Sequence, residues 1–132
     1  MSKLGCLCGH TIVDQTNDIA YKGYILPDTL VNSFFDVLTE NMNSLATAKK
    51  SNNTLEWMKK NFSVPPYPLD ASDADMIHDL LFNAFVNTNQ DIYECENCGR
   101  VAIQIKGINK FNFYYPENNQ SKGIINGKDL VG

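Results

Sequence analysis

Two pairs of cysteines, one near each end of the 132-residue chain, constrain its fold more than any other feature. Cys6 and Cys8 are separated by one residue, Cys95 and Cys98 by two, and a glycine directly follows each pair. Glycine tolerates the positive φ that a tight turn around a metal often needs. Four sulfurs from two such turns make a tetrahedral zinc site of the structural kind. The sequence therefore predicts a structural Zn²⁺ that joins the N-terminal region to the C-terminal third.

Other roles of cysteine fit the sequence less well than zinc. Two disulfides would need an oxidising compartment, and the first residues lack the apolar core of a signal peptide. A redox Cys-x-x-Cys motif precedes a helix in a βαβ unit, whereas Cys98 precedes the strand-like alternation of residues 101–106. Free cysteines remain the main alternative, because the one-residue gap between Cys6 and Cys8 departs from the common two-residue spacing. His10 could also replace one of the cysteines as a ligand.

The region between the cysteine pairs has the periodicity of helices. Apolar residues recur at three- and four-residue steps from Leu30 to Leu45, behind Asp28 as a candidate N-cap. A shorter helix is expected after Thr54. The run Ser72-Asp-Ala-Asp75 is close to a capping box and predicts the start of a third helix. The residues expected to face the core from that helix are Met76, Ile77, Leu80, Leu81, Ala84 and Phe85.

Strand-like alternation appears on both sides of this helical region, which predicts an α+β fold. We expect residues 1–132 to form a single domain. Residues 1–26 and 91–115 would build a small, zinc-ribbon-like antiparallel sheet from both chain ends, and residues 27–90 would form an insertion of two or three helices.

The charge of the chain limits the partners it can have. The formal net charge is −4, and four thiolates around one Zn²⁺ would make it about −6. A protein that binds nucleic acid through its backbone usually carries the opposite sign. We therefore expect no nucleic acid as a partner. No stretch of the sequence approaches the roughly 20 apolar residues of a membrane span, so we expect no membrane association and a cytoplasmic location.

Acidic residues are concentrated in one stretch of the sequence. Seven acids and no Lys or Arg occur between Asp70 and Glu96. The N-terminus of the third helix accounts for the first acids electrostatically, but not for those that follow. An electronegative surface would steer a partner with a basic surface. The residues we expect to contact that partner are Asp79, Asp91, Glu94 and Glu96. The structural alternative is that these acids only form a solvated face.

Three segments carry a family resemblance: Cys6 to His10, Tyr21 to Tyr24, and Tyr93 to Arg100. They resemble small bacterial zinc-ribbon-like proteins in which a Cys-x-Cys-Gly opening is joined to a late Cys-x-x-Cys-Gly-Arg. In size, acidity and lack of catalytic residues the chain is also loosely similar to bacterial toxin-immunity proteins, including those of contact-dependent inhibition.

These resemblances imply a non-enzymatic binding protein, most specifically an immunity protein that neutralises a cognate toxin domain by direct association. The alternative is a zinc-ribbon adaptor in transcription or nucleic-acid binding. A metal-dependent enzyme is disfavoured, because four cysteines leave no open coordination position. The sequence does not determine the oligomeric state.

Overall fold

The fold is described for residues 2–61, 71–118 and 123–127 in a computed structural model. These residues form, in chain order, β1 (Ser2–Gly5), β2 (Thr11–Asp14), β3 (Lys22–Ile25), α1 (Asp28–Lys50), α2 (Thr54–Asn61), α3 (Asp73–Val86), β4 (Gln90–Glu94), β5 (Val101–Gln104) and β6 (Phe111–Tyr114). The predicted α+β class is confirmed, with antiparallel strands from both ends of the chain and three helices between them. β1 was not expected from the sequence.

The chain divides into two compact units, each with its own core. One unit consists of Met1–Ile25 together with Asn89–Gly132, and the other of Leu26–Thr88. The second unit begins one residue before the helical insertion expected at residues 27–90 and ends two residues before its expected end. We call the first the sheet unit and the second the helical unit.

Two antiparallel sheets make up the described part of the sheet unit. β1 and β2 form a hairpin, and the other four strands are ordered β3-β4-β5-β6. In the larger sheet the N-terminal strand β3 pairs with the C-terminal strand β4, with Lys22 opposite Tyr93. The core of the unit consists of Cys6, Ile12, Tyr93, Cys95 and Ala102. Two of the four cysteines therefore belong to the hydrophobic core of this unit.

A polar contact joins the two sheets beside that core. The Asp14 carboxylate in β2 accepts hydrogen bonds from the Lys22 ammonium and the Tyr93 hydroxyl, each at 2.5 Å. Burial disfavours the charged form of Asp14, but the hydrogen bonds from Lys22 and Tyr93 outweigh it and lower the pKa of Asp14. The ionised carboxylate thus links β2 of the smaller sheet to β3 and β4 of the larger sheet.

The start of α1 differs from the sequence prediction. The N-cap is Pro27, and Asp28 is the first helical residue instead of the cap. Pro27 has φ −59°, close to the value that its ring imposes. The acid at Asp28 still favours this end of the helix electrostatically. At the other end the helix stops at Lys50, and Asn52 lies in the left-handed region at φ 55°.

The start of α3 confirms the predicted capping box. Ser72 Oγ accepts a hydrogen bond from the backbone N–H of Asp75 at 3.1 Å. The Asp75 carboxylate accepts one in return from the backbone N–H of Ser72 at 3.2 Å. Two N–H groups that lack partners within the helix are satisfied in this way.

The core of the helical unit lies where α2 and the first half of α3 meet the end of α1. Its buried residues are Leu45, Ala48, Trp57, Met58, Met76 and Leu80. The Trp57 indole N–H donates to Ser44 Oγ at 2.7 Å, which satisfies the polar atom of a buried side chain. Several residues on the helices' apolar faces remain exposed, among them Phe35 at 55 % and Leu81 at 43 %. Periodicity identifies an apolar face, but the neighbouring helices decide how much of it is covered.

Substitution Met76→Ala tests this core. Met76 is fully buried among the helices, so its truncation leaves a cavity and should lower the free energy of unfolding by about 2–5 kcal/mol. The matched control is Leu81→Ala, on the same helix but exposed, which should cost less than about 1 kcal/mol. Urea denaturation of both variants measures the difference. Equal losses would contradict the assignment of the core.

Candidate metal centre

The first cysteine pair lies in the loop that connects β1 and β2. The backbone N–H of Cys6 donates to the carbonyl of His10 at 2.8 Å, and that of Gly9 donates to the carbonyl of Cys6 at 3.0 Å. Gly9 has φ +96°, a conformation that glycine adopts without steric cost. The turn directs both thiols of this loop to the same side.

The second pair occupies the equivalent loop between β4 and β5 and repeats these contacts. The backbone N–H of Cys95 donates to the carbonyl of Arg100 at 2.7 Å, and that of Gly99 donates to the carbonyl of Cys95 at 2.9 Å. Gly99 also has a positive φ, +80°. The first loop forms the same two backbone hydrogen bonds with one residue fewer, which accounts for the one-residue gap between Cys6 and Cys8.

The two loops bring the four sulfurs together as the sequence predicts. The Sγ atoms of Cys6, Cys8, Cys95 and Cys98 lie within 4.8 Å of one another. The Sγ separations of the pairs Cys6–Cys98 and Cys8–Cys95 are both 3.6 Å, far longer than the 2.05 Å or so of a disulfide. Cys6 and Cys95 are buried, Cys98 is half-buried and Cys8 is exposed. This cluster could hold a metal ion.

Hydrogen-bond donors around the sulfurs favour the thiolate form. The Asn97 side-chain amide donates to Cys8 Sγ at 3.4 Å, and this contact is the main cause that lowers the pKa of Cys8 to about 6. The Arg100 guanidinium donates to Cys98 Sγ at 3.4 Å. Burial raises the pKa of Cys95 to about 12. Metals bind the thiolate form of cysteine. The hydrogen bonds from Asn97 and Arg100 favour this form at Cys8 and Cys98, and a bound cation would offset the cost of burying the Cys95 thiolate.

His10 lies beside this cluster without being one of its members. Its Nε2 atom is 3.7 Å from a carboxylate oxygen of Glu96 and has no hydrogen-bond partner among the described residues. The group of side chains close enough to share one ion consists of the four cysteines. Sequence reasoning singled out His10 but missed Asn97 and Arg100, although both lie within or next to the second cysteine pair.

The four acids expected to contact a partner occupy different environments. Glu94 is 3 % exposed, and its carboxylate accepts hydrogen bonds from the backbone N–H groups of Gly123 and Ile124. This carboxylate is therefore engaged inside the sheet unit and is not presented to a partner. Glu96 is exposed beside the second cysteine pair, and Asp91 is half-buried in β4. Asp79 is partly exposed in α3 of the helical unit.

The fold and this cluster define an α+β protein with a four-cysteine candidate metal centre. The chain belongs to a family described as a domain of unknown function (DUF8617), whose model matches residues 2–118. Comparisons with curated proteins and with solved structures returned no match. Of the helices in the described part of the chain, none combines the length and apolar character needed to cross a bilayer.

Substitution Cys95→Ser tests whether the cluster supports the fold. Cys95 is fully buried and contributes to both the cluster and the core, and the binding energy of a structural metal is folding energy. We expect the variant to lose its metal and its cooperative thermal transition. The control is Leu7→Ser, at an exposed position between the two cysteines of the first loop, which should retain both. An unchanged melting temperature for Cys95→Ser would contradict a structural role.

Proposed function

We propose that the ion held by the four cysteines is a structural Zn²⁺ and that the chain is a non-enzymatic binding protein of the bacterial cytoplasm. The most specific form of the proposal is neutralisation of a cognate toxin domain by direct association. The two parts of the proposal rest on different observations and are tested separately.

The donor set and its spacing support zinc. Four thiolates around a tetrahedral Zn²⁺ with bonds of about 2.3 Å leave neighbouring sulfurs about 3.8 Å apart. The separations of 3.6 Å between Cys6 and Cys98 and between Cys8 and Cys95 are close to that value. Thiolates would occupy all four positions, so the ion would hold the two loops together and leave no position for a substrate.

Metal analysis tests this part of the proposal. Protein purified without chelator should contain about one zinc per chain, and a strong chelator should remove it with loss of the thermal transition. Iron, the other metal that suits four tetrahedral sulfurs, would colour the protein. Iron in place of zinc, or four freely reactive thiols with no metal, would contradict the assignment.

The observation that supports a basic protein partner is that each of the two units presents acids to solvent, Asp79 in the helical unit and Asp91 and Glu96 in the sheet unit. Asp79 and Glu96 are at least partly exposed, Asp91 is half-exposed, and residues 71–99 contain no Lys or Arg. Removal of Glu94 from this set leaves three acids that reach solvent. Complementary charge of this kind speeds association with a basic partner and disfavours acidic ones.

One feature of the sheet unit favours a second candidate, a nucleic-acid adaptor. Tyr114 and Tyr115 are exposed at the end of β6, and the Arg100 guanidinium lies 4.6 Å from the ring centroid of Tyr115. Exposed aromatic rings beside an arginine can stack on bases. Micromolar binding of a single-stranded oligonucleotide that weakens steeply with salt would favour this candidate. The net negative charge leads us to expect no such binding.

Charge reversal tests the acids that the sheet unit presents to solvent. A partner would be identified by affinity purification and mass spectrometry from the native host, and its association rate measured with the variant Asp91→Lys/Glu96→Lys. We expect association about tenfold slower at low salt, with a weaker salt dependence. The control is Asp36→Lys/Glu117→Lys, two exposed acids outside the acidic stretch with the same change in net charge. Equal rates for both variants would show that the acids are only a solvated face.

A further inference from the structure

α3 carries apolar side chains on two sides. Its inner side consists of Met76, Leu80 and Ala84, which are buried in the core of the helical unit. On the outer side Phe82 is 56 % exposed and Val86 is 51 % exposed. A helix that is apolar on both sides is usually covered on both. The outer side of α3 therefore has the character of a contact surface.

The exposed residues of this outer side form one line along the helix. Asp75, Asp79, Phe82 and Val86 follow one another at steps of four, three and four residues, which places them in a single strip. The two acids occupy the N-terminal half of the line and the two apolar residues its C-terminal half. The exposed His78 ring stacks against Phe82, with centroids 6.4 Å apart and planes 6° from parallel. We call Asp75, Asp79, Phe82 and Val86 the outer line.

The charge of this surface has one sign. α3 contains three acids and no Lys or Arg; Lys49 pairs with Asp73, which is not part of the outer line, and His78 Nδ1 lies 3.7 Å from a carboxylate oxygen of Asp79. Acids therefore adjoin the exposed apolar residues at the end nearer the helix N-terminus. A complementary segment needs basic side chains at that end and apolar side chains at the other.

We infer that the outer line is the docking surface for a cationic amphipathic helix of a partner protein. The apolar residues of the partner would cover Phe82 and Val86, and its Lys or Arg residues would lie near Asp75 and Asp79. Helices with an apolar face are commonly bound in this way, through anchors spaced by three and four residues. This inference rests on the proposed binding function and deepens it, because it names one surface and the chemistry of its occupant.

The charge pattern disfavours other occupants. In a parallel pair of identical chains, Asp75 and Asp79 would face the same acids of the second copy and repel them. In an antiparallel pair, the carboxylates would lie against Phe82 and Val86 and lose water without gaining a partner. An anionic membrane surface would likewise repel the acids.

A binding assay with the whole 132-residue chain, purified without chelator, tests the inference. The probe is a fluorescently labelled 18-residue amphipathic helix of Leu and Lys, compared with a Leu and Glu helix of the same pattern. We expect the parent chain to bind only the Lys helix. Phe82→Ser/Val86→Ser should weaken that binding at least tenfold, because most of the apolar contact is lost. Asp79→Lys should weaken it severalfold and reduce its salt dependence.

Two control variants keep the test specific. Ile108→Ser removes an apolar residue that is also exposed but lies in the sheet unit, and Asp36→Lys reverses an exposed acid on α1. Each should change the affinity less than twofold, and all variants should keep the parent thermal transition. No binding by the parent chain, or equal effects of test and control variants, would overturn the inference.

Further outcomes identify a different occupant. A parent dimer in sedimentation that Phe82→Ser/Val86→Ser converts to monomer would overturn the inference in favour of a second copy. Vesicle binding lost in the same variant would overturn it in favour of a membrane. If Asp91→Lys/Glu96→Lys slows association with a host partner but the α3 variants do not, the proposed function stands and this surface fails. If neither set of variants matters, both proposals fail.

Discussion

The sheet unit depends on the meeting of four sulfur atoms from two loops that are far apart in the chain. One loop connects β1 and β2, the other connects β4 and β5, and both close with the same pair of backbone hydrogen bonds. Isolated hairpins of this size are marginally stable in water. The core of the unit contains only five buried residues among those described, and two of them are cysteines of the cluster. A bound ion would thus add stability where little apolar surface is available.

Polar contacts also hold the strands of the sheet unit together. Asp14 joins the two sheets through Lys22 and Tyr93, and the Lys22 ammonium also lies 5.5 Å from the centroid of the Tyr93 ring. On the other face of β4, Glu94 accepts backbone hydrogen bonds from Gly123 and Ile124. Buried carboxylates are tolerated only when they are paired in this way. These acids serve the architecture of the unit, whereas Asp79 and Glu96 keep contact with solvent.

The helical unit contributes a different kind of surface. Its core occupies the region around Leu45, Trp57 and Met76, and apolar side chains farther from this core, such as Phe35 and Phe82, remain exposed. This division fits the proposed binding function: a bound metal ion would give the sheet rigidity at little cost in core volume, and a helix that is apolar on two sides would supply contact area. Under this proposal, function in this chain would lie on surfaces, and the four cysteines would maintain the fold.

The sequence by itself determined the features that depend on local chemistry. The cysteine spacing with its glycines predicted the four-sulfur cluster, and the hydroxyl and carboxylate of Ser72 and Asp75 predicted where α3 begins, because a metal turn and a helix cap each need particular residues at fixed short distances. Tertiary structure alone decided the rest. It buried Glu94 against the C-terminal residues, left Phe82 exposed, and made Pro27 the N-cap of α1 in place of Asp28. A charge or an apolar residue has no burial of its own, since its exposure is set by segments that pack against it from elsewhere in the chain.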